Sequence, residues 1–187
     1  DWDYKVFILD SIINSMNRGQ SVDLDKWLQS IPSVKTKNYL YHNNRSLKFD
    51  NYTDTWMDEP PSFSSGAAYA DLDNDGDLDL VVNNVDDAAF VFKNNTTDNA
   101  SIANYLRFKF FASPTSKEEV YGTTVKLTDA KGQIQLQHYN PQRGFLSTME
   151  HVLHFGTGVQ TIIAKVEITF PSLKKIILEN VNANQVL

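Results

Sequence analysis

Five aspartates alternate through nine residues of this chain, Asp71-Leu72-Asp73-Asn74-Asp75-Gly76-Asp77-Leu78-Asp79, and the run continues straight into Leu80-Val81-Val82. At a separation of about 5 Å two carboxylates repel by roughly 1 kcal/mol in water, and by several times that near a protein surface. A folded loop built this way calls for a cation. Calcium answers that demand, because it takes about six to eight oxygens at roughly 2.3 to 2.6 Å. An acidic solvated turn leaves the repulsion in place, and magnesium prefers few carboxylates plus water.

With Asp71 as position 1, the residues Asp71, Asp73, Asp75 and Asp79 stand at positions 1, 3, 5 and 9, where side-chain carboxylates converge. Asp77 is expected to offer its backbone carbonyl while its own carboxylate faces solvent. Gly76 allows the sharp turn, since a residue without a Cβ reaches positive φ cheaply. An EF-hand needs a Glu at position 12, and Val82 stands there. The loop is thus a short one that feeds a strand. The candidate metal ligands are Asp71, Asp73, Asp75, Asp77 and Asp79.

A length of 187 residues suits one medium domain or two small ones. The 41% hydrophobic and 12% aromatic content belongs to a globular chain rather than a disordered one. A net charge of −6 disfavours nucleic acid or an anionic membrane as partner. Without cysteine there is neither a disulfide framework nor a thiolate metal site. No apolar run reaches the roughly 18 residues of a transmembrane segment. The chain opens at Asp1 without an initiator Met or a signal peptide, which reads as a fragment or processed piece.

Val6, Leu9, Ile13 and Met16 recur at helical intervals and stop at Asn17-Arg18-Gly19. Asp23 is a candidate N-cap for a second stripe, Leu24, Trp27, Leu28 and Ile31, closed by Pro32. Strand-like runs follow at 39–41 and 47–49, with a turn at 42–44. Gly66–Ala70, the alternating Leu78, Leu80 and Val82, and Phe90-Val91-Phe92 complete the pattern of a four-stranded blade. Residues 94–103 read as a linker. Beyond it, Leu106, Phe108 and Phe110 oppose Arg107 and Lys109; Ile134, Leu136 and His138 oppose Gln133, Gln135 and Gln137; Val166, Ile168 and Phe170 oppose Lys165, Glu167 and Thr169. With Ile176-Ile177-Leu178, the stretch from 104 to 187 predicts an antiparallel β-sandwich.

Tyr39–Asn44, Phe63–Ala70 and the acidic run resemble an FG-GAP or VCBS repeat, the calcium-binding blade of integrin-type β-propellers. Asn104-Tyr105-Leu106, Tyr121-Gly122-Thr123, Arg143-Gly144-Phe145-Leu146-Ser147, Leu153-His154-Phe155-Gly156, Phe170-Pro171 and Asn180-Val181 resemble the ASPIC/UnbV domain that follows such repeats in the cartilage acidic protein family. The chain departs from that pattern at Thr157, where Leu is usual, at Phe170, where Trp is usual, and near Leu173, where Gly is usual. Periodicity and resemblance together predict a mainly β fold in three parts: a helical segment over 1–37, read from the spacing, and, over the stretch 38–187 that the resemblance covers, a calcium-binding repeat over 38–96 and a sandwich over 104–187. A complete propeller needs several blades, so upstream repeats of a longer chain are expected partners.

Catalytic signatures are absent: no Gly-rich phosphate cradle, nucleophile elbow or HExxH helix occurs. His151 and His154 stand three residues apart, which on a strand sends them to opposite faces. Arg143 at a turn suits either a carboxylate partner or a ligand. His42 and His138 have no suitable partner nearby in sequence. Sequons at Asn44, Asn51, Asn94, Asn95 and Asn99 are expected by chance in an Asn-rich chain. The leading expectation is a calcium-binding, non-catalytic extracellular module for adhesion or for binding a protein or glycan at a cell surface. In a bacterium the location would be the periplasm or an outer-membrane lipoprotein. Two alternatives stay open: an accessory or catalytic part of a polysaccharide-processing protein, with Trp56, Tyr139 or Phe145 as exposed platform aromatics, and a purely structural propeller cap.

Overall fold

The computed structural model describes residues 2–19, 25, 34–99, 104–111 and 120–187. The chain forms two compact units, Asp1–Thr36 and Lys37–Leu187. In the first, α1 (Trp2–Asn17) realises the N-terminal stripe. Its last turn closes through Arg18 N to Asn14 O and Gly19 N to Met16 O. Val6, Leu9, Ile13 and Met16 are exposed on it. The second stripe, Leu24, Trp27, Leu28 and Ile31 with Asp23 as its cap, lies outside the described residues.

The second unit is mainly β. It opens with an antiparallel hairpin, β1 (Tyr41–Asn43) and β2 (Phe49–Asn51). Both strands fall two residues later than the sequence pattern suggests. The asparagines move them: Asn43 Oδ1 accepts from Arg45 N and Asn44 Oδ1 from Ser46 N, which puts the turn at 44–48. Leu40 meanwhile donates its N–H to Thr53 Oγ1 at the start of α2 (Thr53–Trp56).

The blade-like sheet has three strands, β3 (Ser64–Ala70), β4 (Asp79–Asn84) and β5 (Phe90–Phe92), where the sequence suggests four. Along the edge of β3 opposite β4, Ala67 N donates to Ser147 Oγ at 3.0 Å and Tyr69 N to Met149 Sδ at 3.3 Å. A loop therefore takes the fourth strand's place. Gly66 lets it approach, because a Cβ there would meet Ser147 Oγ at 3.1 Å and Leu146 O at 3.2 Å. After β5, four residues of the expected linker form α3 (Thr96–Asn99).

Two sheets make the sandwich. One orders β11 (Lys175–Asn182), β10 (Ile162–Thr169), β7 (Thr124–Thr128) and β8 (Ile134–His138); the other orders β12 (Gln185–Val186), β6 (Asn104–Lys109) and β9 (Val152–Gly158). β12 runs parallel to β6, so the sandwich is not wholly antiparallel. Leu106, Phe108, Leu153 and Phe155 from one sheet meet Val125, Leu127, Ile163, Val166 and Ile168 from the other. Phe108 and Phe155 cross edge-to-face at 5.7 Å. Phe170, where the resemblance leads one to expect Trp, packs against this core.

β8 reverses the sequence expectation. Gln135 and Gln137 pair with the core residues Leu127 and Val125 and so share their face, while Ile134 and Leu136 point outward at 60% and 56% exposure. The amides account for this: Gln135 Nε2 donates to Gly156 O at 2.9 Å and Gln137 Nε2 to His154 O at 2.6 Å. They join β8 to β9 where the sheets have no strand pairing. Phe155→Ala is expected to lower unfolding stability by about 3–5 kcal/mol, and Leu136→Ala by under about 0.5 kcal/mol, as measured by urea titration. Equal losses would refute the assigned faces.

Candidate metal centre

Ala70 pairs with Asp79 at the mouth of the β3–β4 hairpin, so the aspartate run forms its tip. Asn74 and Gly76 curl it at φ +62° and +97°. Asp79 secures the closure: Oδ2 accepts from Leu72 N at 3.0 Å and Oδ1 from Asn94 N at 2.8 Å. Asp71, Asp73 and Asp75 each bring a carboxylate oxygen within 4.8 Å of the other two. Three oxygens of the loop, Asp71 Oδ1, Asp75 Oδ2 and Asp77 Oδ1, are buried without a hydrogen-bond partner.

Asp77 differs from expectation. Its carboxylate is buried rather than solvent-facing, because Oδ2 accepts both N–H and O–H of Thr97 at 3.0 Å. Thr97 belongs to the stretch that looked like a bare linker. The site thus places Asp71, Asp73 and Asp75 together, with Asp77 and Asp79 spending oxygens on the walls of the loop.

Two cations attend the cluster. Lys93 Nζ lies 2.8 Å from Asp73 and 3.9 Å from Asp75, at an exposed position. Its hydrogen bond holds the Asp73 carboxyl below the usual range. Arg107, on β6, is the other. Its Nη1 donates to Asp71 Oδ2 at 2.8 Å, and its Nη2 to both Glu150 oxygens at 2.7 Å. Burial pushes the Asp71 carboxyl up, with Arg107 pulling the other way. Alternation along β6 correctly sets Arg107 opposite Leu106 and Phe108, yet the residue is buried, because the repeat covers that face.

Tyr105, two residues earlier on the same face, lies over Gly76, and a Cβ at Gly76 would fall within its ring. His154 pairs across the strands with Arg107 and stacks on Tyr105 at 5.8 Å. It lines a cavity of about 170 Å³ with Tyr69, Gln137, Tyr139, Arg143 and Glu150. No sequence signal linked residues 105, 107, 150 and 154 to the loop, since only the fold brings them there.

The remaining candidates take structural places. His151 precedes β9 and meets Tyr139 Oη at 3.4 Å. His138 bonds Thr124, and His42 packs against Tyr52 and Trp56. Arg143 donates to the carbonyls of Asn140 and His138, locking its own turn. Trp56 and Phe145 are exposed, whereas Tyr139 is buried beneath Phe110 and Tyr121 and offers no platform.

Residues 22–82 match the family model of the FG-GAP-like repeat, and residues 113–187 match that of ASPIC and UnbV. No curated protein matches the chain. The chain therefore carries an FG-GAP-like repeat followed by an ASPIC and UnbV domain. β6, which brings Tyr105 and Arg107 to the aspartate loop, precedes the second matched stretch. Among the described residues no helix is long and apolar enough to cross a membrane.

Gly76→Ala is expected to destabilise the protein by about 2–5 kcal/mol, combining left-handed backbone strain with overpacking. In a Tyr105→Ala background only the backbone share, about 1–2 kcal/mol, remains; an equal loss in both backgrounds would exclude the ring contact. Burial, then Arg107, depress the His154 pKa, against Glu150 and Asp77. The unfolded chain takes up this proton near pH 6.5 and the folded one only lower, so this contribution is complete above about 6.5 and is lost as pH falls through the folded value. His154→Gln should flatten the stability profile in that window, as read by denaturation at stepped pH.

Proposed function

We propose that the Asp71–Asp79 loop binds calcium, and that the chain is a calcium-stabilised, non-catalytic module of the extracellular or cell-surface kind, serving adhesion or the binding of a protein or glycan. The reading rests on the three convergent carboxylates and the three buried oxygens that lack hydrogen-bond partners. All are hard oxygen donors, crowded as calcium prefers and magnesium does not. Asp71, Asp73 and Asp75 would hold the ion, with the Asp77 carbonyl and Asp79 completing the set. Bound there, it supplies charge neutralisation and cross-linking of the loop; saturated by protein oxygens, it has little room to activate water. Lys93, in an exposed pair worth little, yields readily to a divalent ion.

The FG-GAP-like match supports placing this repeat among others in a propeller. An open groove lined by Leu40, Trp56, Met57, Leu80 and Phe92 on the blade suits an upstream repeat as neighbour, and it also favours the reading as a propeller cap. Millimolar extracellular calcium suits a site of this kind. Calcium at about 100 times its dissociation constant adds roughly 2.7 kcal/mol, which should raise the melting midpoint by about 5–10 °C over chelator. Asp73→Asn/Asp75→Asn should abolish the difference. Identical midpoints for the wild type would sink the metal assignment.

A further inference from the structure

We propose that Arg107, with Glu150 as its counter-charge, is a positioning residue of the cation loop, so that the sandwich forms part of the site and cation binding tightens its seating on the repeat. This rests on the calcium reading above.

Arg107 reaches a candidate ligand directly from the sandwich. Its side chain is 9% exposed and that of Asp71 is 1% exposed, so water screens the pair weakly. The guanidinium holds Asp71 Oδ2, and Oδ1 of the same carboxylate is buried with no hydrogen-bond partner. Fixing one oxygen of a planar carboxylate fixes the direction of the other. The first ligand of the loop is thereby oriented before a cation arrives, as outer partners commonly orient metal ligands.

A lone arginine this close would oppose a dication. Glu150 cancels that charge: both of its oxygens accept from Nη2 at 2.7 Å, leaving a pair that is neutral overall but rigid in geometry. A lysine could supply the charge but not the two-sided fork. Because Arg107 sits on β6 and Glu150 just before β9, any ordering of Asp71 by calcium is transmitted to the same strands. Thermodynamic reciprocity then requires docking and cation binding to strengthen one another.

Two variants separate orientation from charge. Arg107→Met/Glu150→Met removes one charge of each sign, so the net charge facing the cation stays as in the wild type. Arg107→Lys keeps the charge and loses the fork. Calorimetric titration with calcium chloride should show the double variant binding about 10–100-fold more weakly, and Arg107→Lys at least several-fold more weakly. In the wild type, calcium should slow hydrogen exchange at Ala67 and Tyr69, whose amides bond Ser147 and Met149 across the seam; in the variants that protection should be lost while the loop amides keep theirs. If the double variant fails to fold, Arg107→Lys alone decides. Wild-type affinity and unchanged protection in the variants overturn this proposal alone, whereas a wild type that binds no calcium overturns it together with the calcium reading.

Discussion

The seam of the second unit turns on one guanidinium. Arg107 is held between Asp71 of the repeat and the half-exposed Glu150 of the sandwich, and its buried pair with Asp71 is costly to break from one side, by about 3–5 kcal/mol, because the abandoned charge stays buried. That constraint fixes where β6 lies against the aspartate loop. Tyr105 then falls over Gly76, and His154 is left beneath both as a ring that favours its neutral form. The repeat and the sandwich thus share residues of one electrostatic arrangement rather than merely touching.

A second contact repeats the logic with backbone groups. The outer edge of β3 carries N–H donors that must be satisfied once covered, and Ser147 and Met149 accept them. Arg143 holds the preceding turn through two carbonyls, so the stretch from Arg143 to Ser147 acts as a preformed clip. The same clip explains why the blade stops at three strands. Its position is occupied by the neighbouring domain.

Much of this was legible in local pattern. The helix over 2–17, the strand at 90–92, the inward faces of β6 and β10, and the hairpin around the aspartates all follow from spacing and turn chemistry. The shift of β1 and β2 came from local asparagine turns, whereas three other failures share a cause: a distant partner reassigned a polar residue. Thr97 drew Asp77 inward, the repeat buried Arg107, and the carbonyls of β9 turned Gln135 and Gln137 toward the facing sheet. Alternation identifies two faces of a strand, but not which one a long-range hydrogen bond will favour. Leu173 shows a further kind of departure. It stands near a position where the resemblance leads one to expect glycine, and it adopts the left-handed backbone, at φ +67°.

β11 ends the four-stranded sheet, its outer edge paired with no strand among the described residues, and carries Ile176 and Ile177 exposed while Leu178 packs on the core. An open rim of this composition is a template for a stray chain. Lys174 and Lys175 precede the apolar triplet and Glu179 follows it. Those charges act as gatekeepers: a second sheet approaching the rim would have to desolvate them. The bracket bears on solubility rather than on folding, because it raises the cost of pairing another strand along this edge.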